Sequence, residues 1–416
     1  SVTDPKGVAT VTTWNGLGDL VSEVSADRGT TVYTYDNAGN LKTRTDARGV
    51  KHTYTYDSLN RPTRRTHTTV TGVSATTQLT WSYDAGVNGI GRLTGFTDES
   101  GNTAYTYDAH GRLLSKVQTA KLGTASLVHT LGYSYDNTGR LSQQTTPSGA
   151  VIDTSYDPAG RPVEIRINGA ILVSDIVYRP FGPPKSWTWG NGTPYSRSVD
   201  TDGRISQYPV GTNTRSLVFD AASRITNFSH PGNPGLDRTY GYDLVDRVNH
   251  ETDSGGATLW AYDPNGNRLT VQPGTASYAY TYPATSNRLQ TVAGPVSKTY
   301  IYDAAGNPVS DGSTAFTFNA AGRLSKVVRS GQTNQYYHNA TGERVLKSGA
   351  WLVNGPYRFV YDESGHLIGE YDKNNTLRQE TVWLDDLPIA VLRKNQQGQT
   401  QAYHVHADHL NTPRAI

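Results

Sequence analysis

The sequence predicts an almost all-β chain built as an array of β-hairpins. A short unit recurs along nearly all of the 416 residues: an aromatic residue, Asp, two variable residues, Gly, then Arg or Asn and an aliphatic residue. Residues before each Asp alternate with period two, as in Tyr33-Thr34-Tyr35, which is the pattern of a β-strand. No window shows helical periodicity of useful length. These observations together favour repeated strands over helices.

Each copy of the unit predicts one hairpin turn. Asp suits the first position of a type I turn, and Gly three residues later suits the left-handed conformation of a three-residue hairpin loop. The aromatic residue then ends one strand, and the aliphatic residue begins the next. The predicted turn residues are Asp36, Gly39, Asp108, Gly111, Asp136, Gly139, Asp157, Gly160, Asp263, Gly266, Asp303, Gly306, Gly322, Asp362 and Gly365.

Variations within the unit agree with this turn. Pro158 and Pro264 fall at the second turn position, where a fixed φ near −65° fits. Asn60 and Asp246 replace Gly, and both are residue types that tolerate positive φ. Ser223 tolerates it less well, so we expect a distorted turn there.

The alternating aromatic residues predict a ladder of rings on one face of the sheet. Tyr105-Thr106-Tyr107 and Phe316-Thr317-Phe318 show the same alternation, with Thr or Ser on the other face. Successive hairpins would make the rings cross-strand neighbours, which stabilises a thin repeat array that has no globular core.

Composition and charge exclude several classes of protein. A chain with 27 tyrosines and a net charge of +2 is not typical of disorder, although only 35% of its residues are hydrophobic. No stretch approaches the roughly 20 apolar residues of a membrane span, and no secretory leader is visible at the start. Lys and Arg are spread along the chain, so we expect no nucleic-acid partner.

The absence of two residue types carries further expectations. Without cysteine the chain has no disulfides, thiol nucleophiles or thiolate metal sites, which suits an oxidising exterior. Without methionine, Ser1 is not expected to begin the translated chain, so we expect a processed product or a fragment.

The Tyr-Asp repeats resemble those of the bacterial RHS/YD-repeat proteins, a group that includes the C components of insecticidal toxin complexes and the barrels of teneurins. Further stretches carry the resemblance at Tyr178 to Pro184 with Gly190-Asn191-Gly192, at Phe359 to Tyr371 with Val382 to Val391, and at His406 to Arg414.

The resemblance implies hairpins wound in a spiral to form a hollow shell. In bacterial members the shell encloses a toxic C-terminal domain, which is cut from it by an aspartyl self-cleavage site. The resemblance assigns residues 1–380 to the YD/RHS-repeat β-shell and residues 381–416 to the start of the core-associated region. The sequence stops at Ile416, before the Asp-Pro-bearing core motif and any toxin sequence.

A histidine-rich segment invites a metal-site interpretation. His404-Val405-His406-Ala407-Asp408-His409 has the His-x-His-x-Asp-His spacing of dinuclear zinc hydrolases, but those sites need ligands further downstream, and only seven residues follow His409. We expect a strand from Ala402 to Val405 and then a turn around Asp408 to Pro413, with incidental metal binding as the alternative. No metal or cofactor is predicted.

Two other groups of residues have competing interpretations. Asp385 and Asp386 could act as an acid/base pair, but adjacent strand residues point to opposite faces, so a turn is favoured. Trp187, Trp189 and Tyr195 lie in a glycine- and proline-rich segment, where they either pack one sheet layer on the next turn of the spiral or contact a ligand or partner. Gly190-Asn191-Gly192 lacks the strand-to-helix context of a phosphate loop.

The sequence therefore predicts a non-enzymatic shell segment of an RHS-type bacterial toxin, exported to the medium or the cell surface, that encloses and helps deliver a C-terminal effector. Its expected partners are that toxin domain or other parts of the parent polypeptide, with a secretion-system or shell partner as a further option. The alternative is a surface-exposed module that binds carbohydrate or another cell. An enzyme is the least favoured class.

The expected size of the array bears on whether it closes. About 36 strands at about 4.8 Å each give a ribbon roughly 170 Å wide, which is little more than one turn of a shell about 50 Å across. We therefore expect open ends that pair with other polypeptide.

Overall fold

A computed structural model describes residues 1–68, 70–74 and 78–416. Within these ranges the chain consists of short β-strands and one 3-10 turn at Pro234–Leu236, with no α-helix. These residues include no helix with the length and apolarity needed to cross a membrane. The predicted all-β fold of hairpins is confirmed.

The first part of the chain forms nineteen strands. They are β1 Val2–Thr3, β2 Ala9–Trp14, β3 Leu20–Ser25, β4 Gly29–Tyr35, β5 Leu41–Thr45, β6 Lys51–Tyr56, β7 Pro62–His67, β8 Val73–Ser74, β9 Leu79–Tyr83, β10 Leu93–Asp98, β11 Gly101–Tyr107, β12 Leu113–Leu122, β13 Ala125–Tyr135, β14 Leu141–Thr145, β15 Val151–Tyr156, β16 Pro162–Ile167, β17 Ala170–Tyr178, β18 Pro184–Trp189 and β19 Pro194–Ser196.

The middle part forms eleven strands. They are β20 Ser198–Val199, β21 Ile205–Val210, β22 Asn213–Phe219, β23 Ile225–Ser229, β24 Arg238–Tyr242, β25 Val248–Asp253, β26 Gly256–Tyr262, β27 Arg268–Pro273, β28 Tyr278–Thr281, β29 Thr291–Ala293 and β30 Lys298–Thr299.

The last part forms thirteen strands. They are β31 Ile301–Tyr302, β32 Pro308–Ser310, β33 Thr314–Asn319, β34 Leu324–Arg329, β35 Gln332–His338, β36 Arg344–Gly349, β37 Tyr357–Tyr361, β38 Leu367–Tyr371, β39 Leu377–Leu384, β40 Leu387–Lys394, β41 Thr400–His404, β42 His406–Ala407 and β43 Pro413–Ala415.

The strands pair antiparallel, each with its neighbour in the chain. The first sheet holds β1 to β7 and β9 to β19, with β7 paired directly to β9. The second sheet holds β20 to β30, and the third holds β31 to β41. Two pairings depart from the meander: β8 pairs parallel with β33, and β42 pairs with β43 in a separate hairpin. A meander of this kind places alternate turns at opposite ends of the strands.

The chain winds back on itself as a spiral. Hydrogen bonds join residues of the first sheet and its turns to residues of the chain after Asp263 at sequence separations between 220 and 283 residues. We call the first sheet the first sweep, residues 263–416 the second sweep, and the contact between them the seam. His52 in β6 hydrogen-bonds across the seam to the carbonyl of Ala320, which directly follows β33. One turn of the spiral therefore takes about 27 strands. The 43 strands therefore make more than one and a half turns rather than the expected little more than one, because the chain has more strands than expected and each turn of the spiral takes fewer of them.

The hydrophobic core lies mainly across the seam. The largest cluster joins Ile165, Val173 and Trp189 of the first sweep to Ile389 and Leu392 of the second. A second joins Leu131 and Tyr133 to Val360, Ile368 and Tyr371, and a third packs Ala415 against Tyr208 and Leu217 of the second sheet. A single-layer sheet buries apolar area by stacking successive turns. The division expected between residues 380 and 381 falls inside β39, so it is not a boundary between sheets.

Candidate functional site

The repeated turn is the first structural device, and the copy at Asp136 shows it clearly. The Gly139 N–H donates to the carbonyl of Asp136 at 2.9 Å, and the Asp136 N–H donates to the carbonyl of Arg140 at 2.9 Å. The Asp136 carboxylate accepts from the N–H groups of Thr138 and Arg140. Gly139 has a φ of 87°, in the region that favours glycine. The turn is thus closed by the Asp side chain and by its own backbone.

The other predicted turn residues adopt the same arrangement. Each glycine has a φ between 77° and 87° and donates its N–H to the carbonyl of the residue three positions earlier. These pairs are Asp36 with Gly39, Asp108 with Gly111, Asp157 with Gly160, Asp263 with Gly266, Asp303 with Gly306, Asn319 with Gly322, and Asp362 with Gly365. We call these turns, the Asp136 copy and the turns of the same kind at the same end of the strands Asp/Gly turns.

The expectation of a distorted turn at Ser223 is wrong. Ser223 adopts a φ of 64° and donates its N–H to the carbonyl of Asp220 at 3.0 Å, as the glycines do. The Asp220 carboxylate also accepts from the N–H of Arg224 and from its guanidinium. These hydrogen bonds close the turn without a glycine, and Asn60 and Asp246 take the same left-handed conformation.

A contact between neighbouring repeats was missed from the sequence. Arg140 donates through Nε to Oδ2 of Asp136 at 2.7 Å, and its Cζ lies 4.7 Å from the ring centroid of Tyr156 in the next repeat. The hydroxyl of Tyr156 in turn donates to the carbonyl of Leu141 at 2.6 Å. This repeat is therefore tied to the next by an Asp, an Arg and an aromatic ring, an arrangement that we call the relay.

The relay recurs along the first two sheets. Other arginines that bind their own Asp and cover the next ring are Arg61 over Tyr83, Arg112 over Tyr135, Arg161 over Tyr178, Arg204 over Phe219, Arg224 over Tyr242, and Arg247 over Tyr262. The predicted ladder of neighbouring rings is thus corrected, because a guanidinium lies over each of these rings. The Arg four residues after Asp in these units was the available signal.

The relay also sets the charge state of its aspartates. Hydrogen bonds from the backbone N–H and the guanidinium of Arg161 hold the pKa of Asp157 below its ordinary value. At Asp220 the guanidinium of Arg224, followed by its N–H, lowers the pKa in the same way. These carboxylates are ionised acceptors committed to the turn.

The seam joins turns from opposite ends of the strands. First-sweep strands have an Asp/Gly turn at one end and another turn at the other end. We call the latter opposite-end turns, and they contact Asp/Gly turns of the second sweep. Arg48 donates to the carbonyls of Asn319 and Ala320, and Asp98 accepts from the N–H of Ala340. Ends of one sweep therefore bind ends of the next through hydrogen bonds to backbone groups.

A buried carboxylate holds the later part of the seam. Glu380 in β39 has no exposed surface and accepts from the Thr146 hydroxyl at 2.8 Å and from the Ser148 N–H and hydroxyl at 2.9 and 2.6 Å. The hydroxyl of Tyr371 also donates to it. Burial, together with the charge of Glu380, raises the pKa of Tyr371. Four donors from both sweeps therefore satisfy one acid.

Comparison with known families agrees with this repeat architecture. The family model described as teneurin YD-shell matches residues 212–416, and the model described as RHS repeat matches residues 14–51, 35–72, 88–124 and 132–169. The chain belongs to the RHS/YD-repeat family. No curated protein sequence matches it.

Solved structures show the same RHS/YD fold. The crystal structure of TcdB2-TccC3 matches 97% of this chain with a TM-score of 0.75 at 15% identity. The Photorhabdus luminescens Tc holotoxin pore matches 95% with a TM-score of 0.74 at 16% identity. This chain spans about a quarter of those chains, 25% and 24%.

In this RHS/YD chain the three aromatic residues proposed as ligand contacts are buried. Trp187, Trp189 and Tyr195 are exposed by only 4%, 2% and 2%. Trp187 stacks on Tyr195 with centroids 3.9 Å apart, and Trp189 stacks on His404 of the second sweep at 4.3 Å. The rings are therefore not exposed, and they pack between turns of the spiral, as the first of the two interpretations expects.

The histidine segment and the paired aspartates are parts of hairpins. The Asp408 carboxylate accepts from the N–H groups of Leu410 and Thr412 and from Arg414, so it closes another turn. Asp385 has a φ of 51° in the two-residue turn between β39 and β40. Asp386 binds His366 at 3.0 Å, and His366 also binds Asp362.

Proposed function

We propose that this chain forms part of the wall of an RHS-type toxin shell, where it encloses a C-terminal effector of its parent polypeptide and helps to deliver it. The observation that carries the proposal is the seam, because it joins successive turns of the spiral into a wall more than one strand-length high. Arg48 donates to the carbonyl of Ala320 and Asp98 accepts from the N–H of Ala340 in one part of that join, and Glu380 with the large core cluster holds another.

The role that we propose is mechanical. The aspartates of the repeats are held by turn N–H groups and, in the relay, by arginine, so they are committed to structure. The burial of Trp187, Trp189 and Tyr195 removes the rings on which a carbohydrate-binding module was predicted. We propose no catalytic step, and we propose export because the shell acts on other cells.

The free edges support a role for other parts of the parent polypeptide as partners. Asp/Gly turns of the first sweep carry the exposed apolar residues Leu17 and Leu59, and a turn of the second sheet carries Leu244. Their counterparts in the second sweep instead carry small residues against the seam, such as Ala304 and the buried Ala320. Further turns of the same spiral would cover the first-sweep edge in the same way.

Protease protection tests the proposal in the full gene product that contains this chain. We expect the polypeptide after Ile416 to resist a protease in the wild type and to be digested when Glu380→Gln weakens the seam, because Gln brings an NH2 group against the donors that the carboxylate now satisfies. Glu164→Gln is the control, since the Glu164 carboxylate binds Arg166 on its own strand. Equal digestion of that region in all three proteins would contradict enclosure.

A further inference from the structure

One buried arginine lies in the RHS/YD shell without an acidic partner. Arg197 falls in the one-residue break between β19 and β20, where the first sheet gives way to the second, and is only 4% exposed. Its Nε donates to the hydroxyl of Tyr195 at 3.1 Å, and its Nη2 has no hydrogen-bond partner. Burying a guanidinium without a counter-ion is costly, so this arrangement calls for an anion.

Nearby acids are already bound to other arginines. Asp200, three residues further along the chain, binds Arg204 at 2.7 Å, and Asp408, between His406 and His409, binds Arg414 at 2.7 Å. Within the described ranges no carboxylate lies at ion-pair distance from Arg197. Arg358, the other buried arginine, also has an unpaired Nε, but its Nη1 donates to the carbonyl of Asp372.

The residues around Arg197 orient its planar guanidinium and add further hydrogen-bond donors. Its Cζ lies 6.0 Å from the ring of Trp187 and 5.8 Å from that of Tyr195, and stacking on rings orients a guanidinium. The buried Nε1 of Trp187 has no acceptor. An indole N–H and a guanidinium can only donate, so an acceptor-rich group would complement both.

The C-terminal hairpin brings more unpaired groups to the same cluster. The ring of His406 lies 6.3 Å from Tyr195, and the ring of His409 lies 6.1 Å from Tyr208. Nδ1 of both histidines and the hydroxyl of Tyr208 are buried without a partner. The cluster therefore joins β18 to β21 and the hairpin of β42 and β43 around unsatisfied polar groups.

We propose that Arg197 is the centre of an oxyanion-binding site that takes a carboxylate or phosphate group. A planar guanidinium matches the two oxygens of such a group, and the buried setting strengthens the interaction. A bound oxyanion would tie the junction of the first two sheets to the C-terminal hairpin. This inference goes beyond the wall role and does not depend on an enclosed effector.

Thermal unfolding of the 416-residue chain tests the site, with inorganic phosphate or acetate as the probe against chloride at matched ionic strength. We expect saturating phosphate to raise the Tm by about 2 to 4 °C, because a ligand that binds only the folded state stabilises it. Arg197→Met should lose this response while remaining folded, since it also removes an unpaired buried charge. Arg197→Lys should keep a weaker response, and Arg64→Met, at an exposed strand position, should respond as the wild type does.

A short acidic peptide distinguishes the source of the group. Binding of the peptide at least tenfold tighter than acetate, and dependent on Arg197, would identify a polypeptide carboxylate, whereas tighter binding of phosphate would identify a free oxyanion. Either result supports the site. A Tm response to all three probes that is the same in wild type and Arg197→Met would overturn it, and neither result bears on protease protection of the effector region.

Discussion

At the scale of single residues, position on the spiral decides what an Asp/Gly turn can tolerate. Gly139 and Gly306 have the same backbone conformation, with φ of 87° and 83°. A Cβ on Gly139 would meet only the flexible guanidinium of Arg112, at 3.6 Å. A Cβ on Gly306 would lie 2.2 Å from the carbonyl oxygen of Asp27 across the seam. One local structure therefore serves two different environments.

Alanine at these two glycines should separate local strain from seam packing. We expect Gly139→Ala to lower the free energy of unfolding by about 1 kcal/mol, which is the cost of a left-handed alanine. Gly306→Ala should cost at least about 2 kcal/mol more, because backbone must move across the seam. Urea unfolding of both variants measures the difference in the free energy of unfolding. Equal losses in the two variants would show that Gly306 is not packed against Asp27.

At the scale of elements, the relay and the seam stabilise the array in different ways. The relay acts between neighbouring hairpins, as Arg140 does between Asp136 and Tyr156. The seam acts between sweeps, and several of its buried contacts involve histidine rings, among them His52 on Ala320 and His129 on Tyr371. The first device is local and repeated, and the second depends on the winding of the chain.

The relay predicts measurable coupling between Arg140 and Tyr156. Arg140→Lys keeps the positive charge but loses the planar guanidinium that lies over the ring of Tyr156. Tyr156→Ala removes that ring together with the hydroxyl that donates to the carbonyl of Leu141. In a double-mutant cycle with Arg140→Lys and Tyr156→Ala, we expect a coupling energy of about 0.5 to 1 kcal/mol. Arg64→Lys, at an exposed strand position, should show no coupling to Tyr156→Ala, and a zero coupling for Arg140 would remove the relay as a source of stability.

The seam histidines predict loss of stability in mild acid. Burial, followed by repulsion from Arg65, lowers the pKa of His52 to about 4, and burial lowers that of His129 to about 4 against the opposing effect of Asn375, with Arg358 lowering it further. Both rings bind protons more readily in the unfolded chain, so stability is full above pH 6.5 and falls as the pH drops from about 6.5 to 4, by at most about 1.4 kcal/mol per pH unit for each ring.

His129→Phe should make this dependence shallower, since phenylalanine keeps a ring against Tyr371 but does not titrate. The measurement is the Tm between pH 7 and pH 4.5 in both proteins. His366 provides the contrast. Burial lowers its pKa, but the hydrogen bonds and charges of Asp386 and Asp362 raise it overall. Its contribution to folding stability is therefore present at low pH and is lost as the pH rises through the raised pKa. A wild-type Tm that stays constant from pH 7 to 4.5 would contradict the histidine argument.

At the scale of the whole molecule, the three sheets form an open spiral of the RHS/YD type. Among the described residues, strand pairing between the sweeps is limited to β8, which lies between β7 and β9 in the chain and pairs with β33 of the third sheet, so most of the join between sweeps is made by turns and side chains. β1 pairs with β2 alone, and β30 ends the second sheet, so edges remain within the described part of the chain. Exposed edges favour pairing with more polypeptide.

The open spiral predicts that the isolated chain does not seal a cavity. Small-angle scattering of a monomeric sample should fit an open curved particle, or a larger edge-paired assembly at higher concentration. Capping by the remaining polypeptide of the gene product should then change the scattering to that of a closed body. A sealed hollow particle formed by the 416-residue monomer would disprove the prediction.

The sequence by itself determined the hairpins, because an Asp/Gly turn is closed by atoms within five residues of each other and the strand period is local. It was enough to place Asp136, Gly139 and the strand ending at Tyr135. Only the tertiary structure decided which of these turns meet the seam and that Trp187 and Trp189 are buried. Those outcomes depend on contacts more than 200 residues apart, such as Trp189 with His404, and these follow from the twist accumulated over some 25 strands, which no local pattern encodes.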